Sequence, residues 1–365
     1  MLETYLLLLT LLLAVTLLPL SRKEVWWIRD LDFPRLQLAL LALLLLVCAI
    51  PATAGKVVAG LPLAPVALLL SAGCLIYQLW WILPYTRLFP PEVKAARHNS
   101  AATELTILTS NVLTPNRNAD ALLDLVARER PDVLVTLESD QWWQDQLDSL
   151  LPDYPYALKC PLDNLYGMHV YSRLPLEDGQ IEYLVEDKVP SMHGLLRLPN
   201  GCGVRVHFLH PAPPSPTENA ESAERDAELI MVAKSVQKAS DPVIVTGDLN
   251  DVAWSETTRL FRKISALLDP RIGRGMFNTF HADYWFFRWP LDHLFHSEHF
   301  TLVNIRRLAN IGSDHFPLLT TLAFEPLRGS EQEGVEAGAD DRALARKKLD
   351  QQEVKVADVP EPGAP

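Results

Sequence analysis

Three long runs near the N-terminus constrain this chain more than any other feature. Residues 5–20 are almost wholly apolar, and residues 36–54 and 57–85 hold no charged side chain. A bilayer core of ~30 Å takes about 20 apolar residues in a helix, so the second and third runs are long enough and the first is barely so. The reading is three membrane spans within an anchor of residues 1–86. A cleaved signal peptide is the alternative for the first run, but the residues ahead of it carry Glu3 and no Lys or Arg, which a signal peptide needs there.

The flanks of these runs carry the marks of a membrane boundary. Trp26 and Trp27 follow the first, and Tyr77, Trp80, Trp81 and Tyr85 close the third, as amphipathic rings at headgroup level would. Arg22, Lys23, Arg29 and Arg35 lie between the first two runs, only Lys56 between the second and third, and Arg87, Lys94 and Arg97 after the third. The tendency of Lys and Arg to stay inside puts the first and last clusters, and everything beyond Arg97, on the cytoplasmic side. The expectation is an integral protein of the inner or plasma membrane, if the source is bacterial.

Charge divides the rest of the 365 residues. The chain carries −12 overall at a mean hydropathy of +0.07, an unusual pairing that the anchor explains. Residues 86–325 hold 22 Lys and Arg against 32 Asp and Glu. A net of −10 disfavours a sequence-independent binder of polyanions. Residues 326–365 are rich in Glu, Asp, Gly, Ala and Pro without one aromatic, which reads as a disordered acidic tail with room for a short helix at 342–349. A linker at 87–102 then leaves 103–325 as the folded domain. Four cysteines and no C-x-x-C rule out a disulfide scaffold and a structural zinc of that kind.

Within the domain, apolar strands at 105–108, 133–137, 204–210, 243–246, 291–295 and 318–324 alternate with helical patterns at 118–130 and 218–238. The interleaving predicts a layered α/β sandwich of packed mixed sheets flanked by helices. The polar residues that punctuate it lie at strand ends, where sites in layered α/β folds gather. They are Ser110-Asn111, Glu138, His210, Gly247-Asp248-Leu249-Asn250, Asp292-His293 and Gly312-Ser313-Asp314-His315-Phe316-Pro317. Alone, Glu138 reads as a solvated strand end and Asn111 as a turn residue, Gly247-Asp248-Leu249-Asn250 reads equally well as an Asx turn, and Ser313-Asp314-His315-Phe316-Pro317 is the strongest single functional signal.

In this order the six motifs resemble the endonuclease/exonuclease/phosphatase superfamily, the fold of pancreatic-type deoxyribonucleases, abasic-site endonucleases, inositol polyphosphate 5-phosphatases and neutral sphingomyelinases. The similarity runs from about Leu105 to Phe324. It implies a divalent ion, Mg²⁺ or Mn²⁺, held by Glu138 with Asn111 and Asp314, since hard oxygen donors suit such an ion better than zinc. It implies that Asp248 orients or deprotonates the attacking water and that Asn250 binds a phosphate oxygen. His315 acts at the scissile phosphate, Asp292 fixes its tautomer, and His210 is the second imidazole. Ser313 is structural. Leu137 and Ser110 stand where many members have Gln and an aromatic, and neither change removes a group of this set.

The resulting expectation is a membrane-anchored, metal-dependent phosphoesterase acting on a lipid headgroup, an isoprenoid phosphate or a small phosphorylated metabolite, with the lipid bilayer as a partner. A membrane-associated nuclease is the first alternative, with nucleic acid a less favoured substrate. A non-catalytic membrane scaffold is the second, although no motif residue is missing here. The aromatic segment Trp285-Phe286-Phe287-Arg288-Trp289 reads either as packing or as a surface for bases or lipid.

Overall fold

The computed structural model describes residues 1–58, 60–97, 103–237 and 239–363. They form two compact units, Met1–Phe89 with Pro214–Ser222, and Pro90–Pro213 with Ala223–Pro365.

In the first unit, α1 (Leu2–Leu17), α3 (Arg35–Thr53) and α4 (Leu63–Ile82) surround a core of Tyr5, Leu9, Leu12, Ala42, Leu45, Ala49, Ala67 and Cys74, and a single turn, α2 (Trp26–Arg29), lies between α1 and α3 along the chain. The alanines let backbones approach, and buried polar groups tie the helices together, as interhelical contacts in membranes commonly do. Tyr5 Oη donates to Leu45 O at 3.2 Å, Gln78 Nε2 to Thr16 Oγ1 at 3.1 Å, and Arg35 Nη1 to Gln78 Oε1 at 3.2 Å. By length and composition, three helices could cross a membrane: Leu2–Ser21, Arg35–Thr53 and Leu63–Tyr85.

The third run differs from the sequence reading. It is not helical from residue 57, because β1 (Val57–Val58) and β2 (Leu61–Pro62) form a small hairpin first. Gly60 supplies a positive φ in the turn of this hairpin, Gly55 another just ahead of β1, and α4 starts directly after Pro62. The helix expected from residue 218 also begins later. Residues 214–222 instead run beside α2, where Trp26 N donates to Ala220 O and Ser222 N to Glu24 O.

The second unit is the predicted α/β sandwich. Its strands are β3 (Glu104–Asn111), β4 (Val133–Leu137), β5 (Tyr156–Cys160), β6 (Met168–Ser172), β7 (Leu176–Glu182), β8 (Ser191–Arg197), β9 (Gly203–Leu209), β10 (Val243–Asp248), β11 (Asp292–His296), β12 (Phe300–Arg307) and β13 (Leu318–Phe324). One sheet runs β12-β13-β3-β4-β6-β5 and the other β11-β10-β9-β8-β7. Among these described strands only β3/β4 and β9/β10 pair in parallel. Ile107, Val133, Val135 and Val170 of the first sheet meet Val204, Val206, Phe208 and Ile244 of the second in one dry core. Helices α5 (Ala119–Glu129) and α6 (Gln141–Leu147) cover the first sheet. Helices α7 (Ala223–Val236) and α8 (Glu256–Ser265) cover the second.

Two composition-based expectations for the flanking segments are corrected. The linker expected over 87–102 is partly built in: Val93 is buried in the sandwich core, and Leu302 N donates to Lys94 O at 2.9 Å. Residues 98–102 of that stretch lie outside the described residues. The tail expected to be disordered, with room for a short helix at 342–349, carries α9 (Pro326–Gly329) and α10 (Ala339–Gln352), and α10 contains that short helix. Ala345 and Leu349 join the core under α7, and Lys348 Nζ reaches Asp226 Oδ2 at 2.6 Å with both side chains buried. A few apolar contacts and one buried ion pair order a segment whose average composition gives no sign of them.

Candidate active site

Strand direction brings the singled-out residues to one edge of the sandwich. β3 and β4 run parallel and end in Asn111 and just before Glu138, while β9 and β10 run parallel and end just before His210 and in Asp248. Antiparallel β11 begins at this edge with Asp292, which is the register partner of Asp248. Across the sandwich, Thr109 Oγ1 and Thr246 Oγ1 lie 3.0 Å apart and pin the two central strands together.

The local backbone is special where the chemistry sits. Gly247 has φ +151°, and a Cβ there would stand 1.9 Å from Leu209 O, so only glycine lets β10 lie this close to β9. Glu138 and Asn250 both adopt left-handed backbone, at φ 56° and 50°. Such non-glycine positions cost of order 1–3 kcal/mol and cluster where a side chain must be aimed.

The side chains make one hydrogen-bonded set. Asn111 Nδ2 donates to Glu138 Oε1 at 2.7 Å and to Asp248 Oδ2 at 3.2 Å, while its Oδ1 accepts from Leu113 N. His315 Nδ1 donates to Asp292 Oδ2 at 2.8 Å, and its Nε2 lies 3.5 Å from Asp248 Oδ2. Asp248 Oδ1 accepts from Asn250 N at 2.9 Å, and Asn250 Nδ2 donates to Pro211 O at 3.0 Å. Ser313 Oγ donates to Asn111 O at 2.8 Å and accepts from His315 N at 3.0 Å, so it braces the loop that carries Asp314 and His315. His210 is buried, with the Tyr166 ring 5.4 Å away.

Burial and neighbouring charge set the protonation states. Burial would lower His315, but Asp292 and Asp248 outweigh it and push it up to about 10, so the imidazolium is the resting form. Burial drives His210 the other way, to about 4, and keeps it neutral. Burial raises Asp248 against the pull of His315. Burial also pushes Glu138 up to about 7, with Asn111 and His315 opposing and Asp314 and Asp248 adding to the rise. Three buried atoms here have no hydrogen-bond partner among the described residues: Glu138 Oε2, His210 Nδ1 and Asp292 Oδ1.

Two groupings bear on a metal ion. Asp248, Asp292 and His315 each place a ligand atom within 4.8 Å of the others, a spacing that could hold an ion. An imidazolium has no lone pair to give, however, and His315 already supplies the positive charge between these carboxylates. The orphaned, buried Glu138 Oε2 beside Asn111 offers the hard oxygen donors that suit Mg²⁺ or Mn²⁺.

A supporting layer went unseen in the sequence. Arg225, buried on α7, donates through Nη1 to Asn250 O at 2.7 Å and through Nε and Nη2 to Asp226 Oδ1. Arg271 pairs with Asp269 through two parallel hydrogen bonds and donates to Asp292 O at 3.3 Å and to His293 Nδ1 at 2.7 Å. Arginine only donates, so His293 Nδ1 is the acceptor and its Nε2–H goes to Asp251 O. His293 is therefore a satisfied core residue. His169 is too, bonded to Ser139 Oγ and Gln144 Oε1. Nothing in the local sequence marks Arg225, Asp251 or Arg271, because their links to the site, Arg225 to Asn250, Asp251 to His293 and Arg271 to Asp292 and His293, join residues far apart in the chain.

With this geometry in view, comparison with known proteins is informative. Residues 108–315 match the sequence model of the Endonuclease/Exonuclease/phosphatase family. No curated protein matches the chain. Among solved structures, humanized D. rerio TDP2 aligns with a TM-score of 0.50 at 17% identity, over 60% of this chain and 98% of that one. D. rerio TDP2 complexed with a single-strand DNA product gives the same score, identity and coverage. The endonuclease/exonuclease/phosphatase from Beutenbergia cavernae gives 0.50 at 19% identity, over 61% and 72%. At such identities the likeness is one of fold.

Proposed function

The chain belongs to the endonuclease/exonuclease/phosphatase family, and on that premise we propose that it is a membrane-anchored, divalent-metal-dependent phosphoesterase. The observation that carries this reading is the buried His315 ring between Asp292 and Asp248, with Asn111 joining Asp248 to Glu138. Four strand ends and one loop converge on that set.

In this reading Asp248 accepts a proton from the attacking water, a task that its burial-raised basicity suits. His315, held protonated, donates through Nε2–H to an oxygen of the scissile phosphate, and the Nδ1–H bond to Asp292 holds the ring in the orientation that points Nε2 at the reaction. Neutral His210 donates a second hydrogen bond. Asn250 spends one amide hydrogen on Pro211 O and has the other for a phosphate oxygen. Glu138, Asn111 and Asp314 would hold Mg²⁺ or Mn²⁺. When bound, such an ion neutralises charge on nonbridging oxygens.

The three apolar helices favour a substrate at the bilayer: a lipid headgroup or an isoprenoid phosphate ahead of a small phosphorylated metabolite. Residues 103–325 would be the catalytic domain and 1–86 the anchor, with the domain on the cytoplasmic face. The D. rerio TDP2 complex with a DNA product keeps a nuclease as the second reading. Incubating the full chain in lipid nanodiscs with Mg²⁺ and either labelled phospholipid or labelled single-stranded DNA separates the two. Release from lipid supports the proposal, release from DNA alone favours the nuclease, and release from neither turns the test to an isoprenoid phosphate and a small phosphate ester, inactivity on all of which leaves a scaffold.

A further inference from the structure

The segment between α8 and β11 exposes four consecutive aromatic side chains: Tyr284 at 58%, Trp285 at 79%, Phe286 at 44% and Phe287 at 51%. A second unit with well-filled cores has no folding reason to leave them in water. They are connected to the site by a ladder of rings. Phe280 lies 4.9 Å from the His315 ring, Trp289 6.3 Å from Phe280, Phe287 6.0 Å from Trp289, and Phe286 and Trp285 follow at 5.5 Å each.

Positive charge accompanies the ladder. The guanidinium of Arg288 lies 5.0 Å from the centre of the Phe316 ring and that of Arg307 4.3 Å from it, one residue beyond His315. Arg288 donates to Ala282 O and Arg307 to Asn278 O, so both hydrogen-bond to backbone carbonyls. Neither has a carboxylate partner among the described residues.

We propose that residues 284–287, with Arg288 and Arg307, form an interfacial loop that seats the mouth of the active site on an anionic lipid bilayer. The inference rests on the membrane-anchored reading above and specifies which surface of the domain meets the lipid. Tyr, Trp and Phe partition to the headgroup region, and arginine is drawn to anionic lipid within a Debye length of the surface. The rest of this acidic domain is repelled by the same charge, which orients it with this edge down. A bilayer fits the rings better than nucleic acid does. Trp285 and Phe286 meet at 70° and Phe286 and Phe287 at 81°, so successive rings stand edge to face and offer no run of parallel planes for stacked bases.

The test places an environment-sensitive fluorophore at position 285 in the full chain (Trp285→Cys), with Tyr284→Cys as a second site and Glu177→Cys as a control, in nanodiscs of phosphatidylcholine with or without phosphatidylglycerol. The native cysteines are replaced by serine or alanine. The expected result is emission at shorter wavelength, quenched by spin-labelled lipid, at 284 and 285 but not at 177. The shift is larger with phosphatidylglycerol and is reduced by Arg288→Ala with Arg307→Ala. Water-like emission at 284 and 285 in every nanodisc, or a shift produced only by adding a single-stranded oligonucleotide, would overturn the proposal. The signal needs no turnover, so a chain that hydrolyses nothing yet shows the shift refutes the phosphoesterase and keeps the loop.

Discussion

Asp248 and Asp292 are direct register partners across antiparallel β10 and β11, and His315 lies against both, 3.5 Å from one and 2.8 Å from the other. Two buried carboxylates facing each other are unfavourable, and the imidazolium offsets the repulsion. This site keeps like charges together that a purely structural core would have discarded.

It follows that activity and stability separate at this pair. Asp292→Asn removes one of the facing charges and the acceptor that fixes His315. Turnover should fall by about 10²–10⁴, while the melting temperature stays level or rises. His315→Gln removes the only cation between the carboxylates and should lose both turnover and about 3–5 kcal/mol of stability. Thermal unfolding beside a turnover assay reads both; a stabilised His315→Gln variant would refute the charge argument.

The C-terminal helix should matter to the fold. Lys348 and Arg225 outweigh the burial that would raise Asp226 and hold its carboxyl well below the usual carboxylate range. Lys348→Met strips one partner from a buried ion pair and should cost roughly 3 kcal/mol, read as a lower melting temperature of the full chain. An unchanged melting temperature would mean that α10 does not dock in solution.

Gly247→Ala should be among the most damaging single changes. Its Cβ would meet Leu209 O at 1.9 Å in a backbone conformation that L-residues rarely adopt. A loss above about 4 kcal/mol is expected, seen as loss of soluble, cooperatively unfolding protein. Near-normal unfolding would show that β9 and β10 can separate at this point.

Buried neutral histidines give the fold an acid limit. His193 Nδ1 lies 2.7 Å from His207 Nδ1 in the second sheet. Burial lowers His193 to about 3 and His207 well below its usual value. The folded state resists the proton that the unfolded chain accepts near pH 6.5, so this contribution is complete above that pH and is lost as pH falls towards 3. The slope is up to about 1.4 kcal/mol per pH unit for each group. Denaturation between pH 7 and 4.5 should show it, and a double His193→Gln, His207→Gln variant should flatten it. Equal slopes in both proteins would assign acid sensitivity elsewhere.

What the sequence disclosed follows from where the physics is local. β3, β4, β10 and β13 are apolar runs sealed in the sandwich, so hydropathy alone finds them, and the polar residues that end them stand out by contrast. Strand β7, Leu176–Glu182, is largely exposed and has no alternation to detect. Helix α7 buries Arg225, Asp226 and Glu228 along with its apolar residues, so its pattern overstates its exposure. Asp226 needs Lys348, and Arg271 needs His293; only the folded chain brings these partners together.

The central claim is that the Asn111, Glu138, Asp248, Asp292 and His315 set performs metal-dependent hydrolysis of a phosphate ester. The most direct measurement is turnover of a generic phosphodiester by the full chain after chelation, with Mg²⁺ or Mn²⁺ titrated back, beside Glu138→Gln. The account predicts no turnover without the ion, saturable recovery with it, and a Glu138→Gln variant that stays folded but needs far more ion or does not recover. Undiminished turnover after chelation, or a Glu138→Gln variant indistinguishable from the parent, would contradict it.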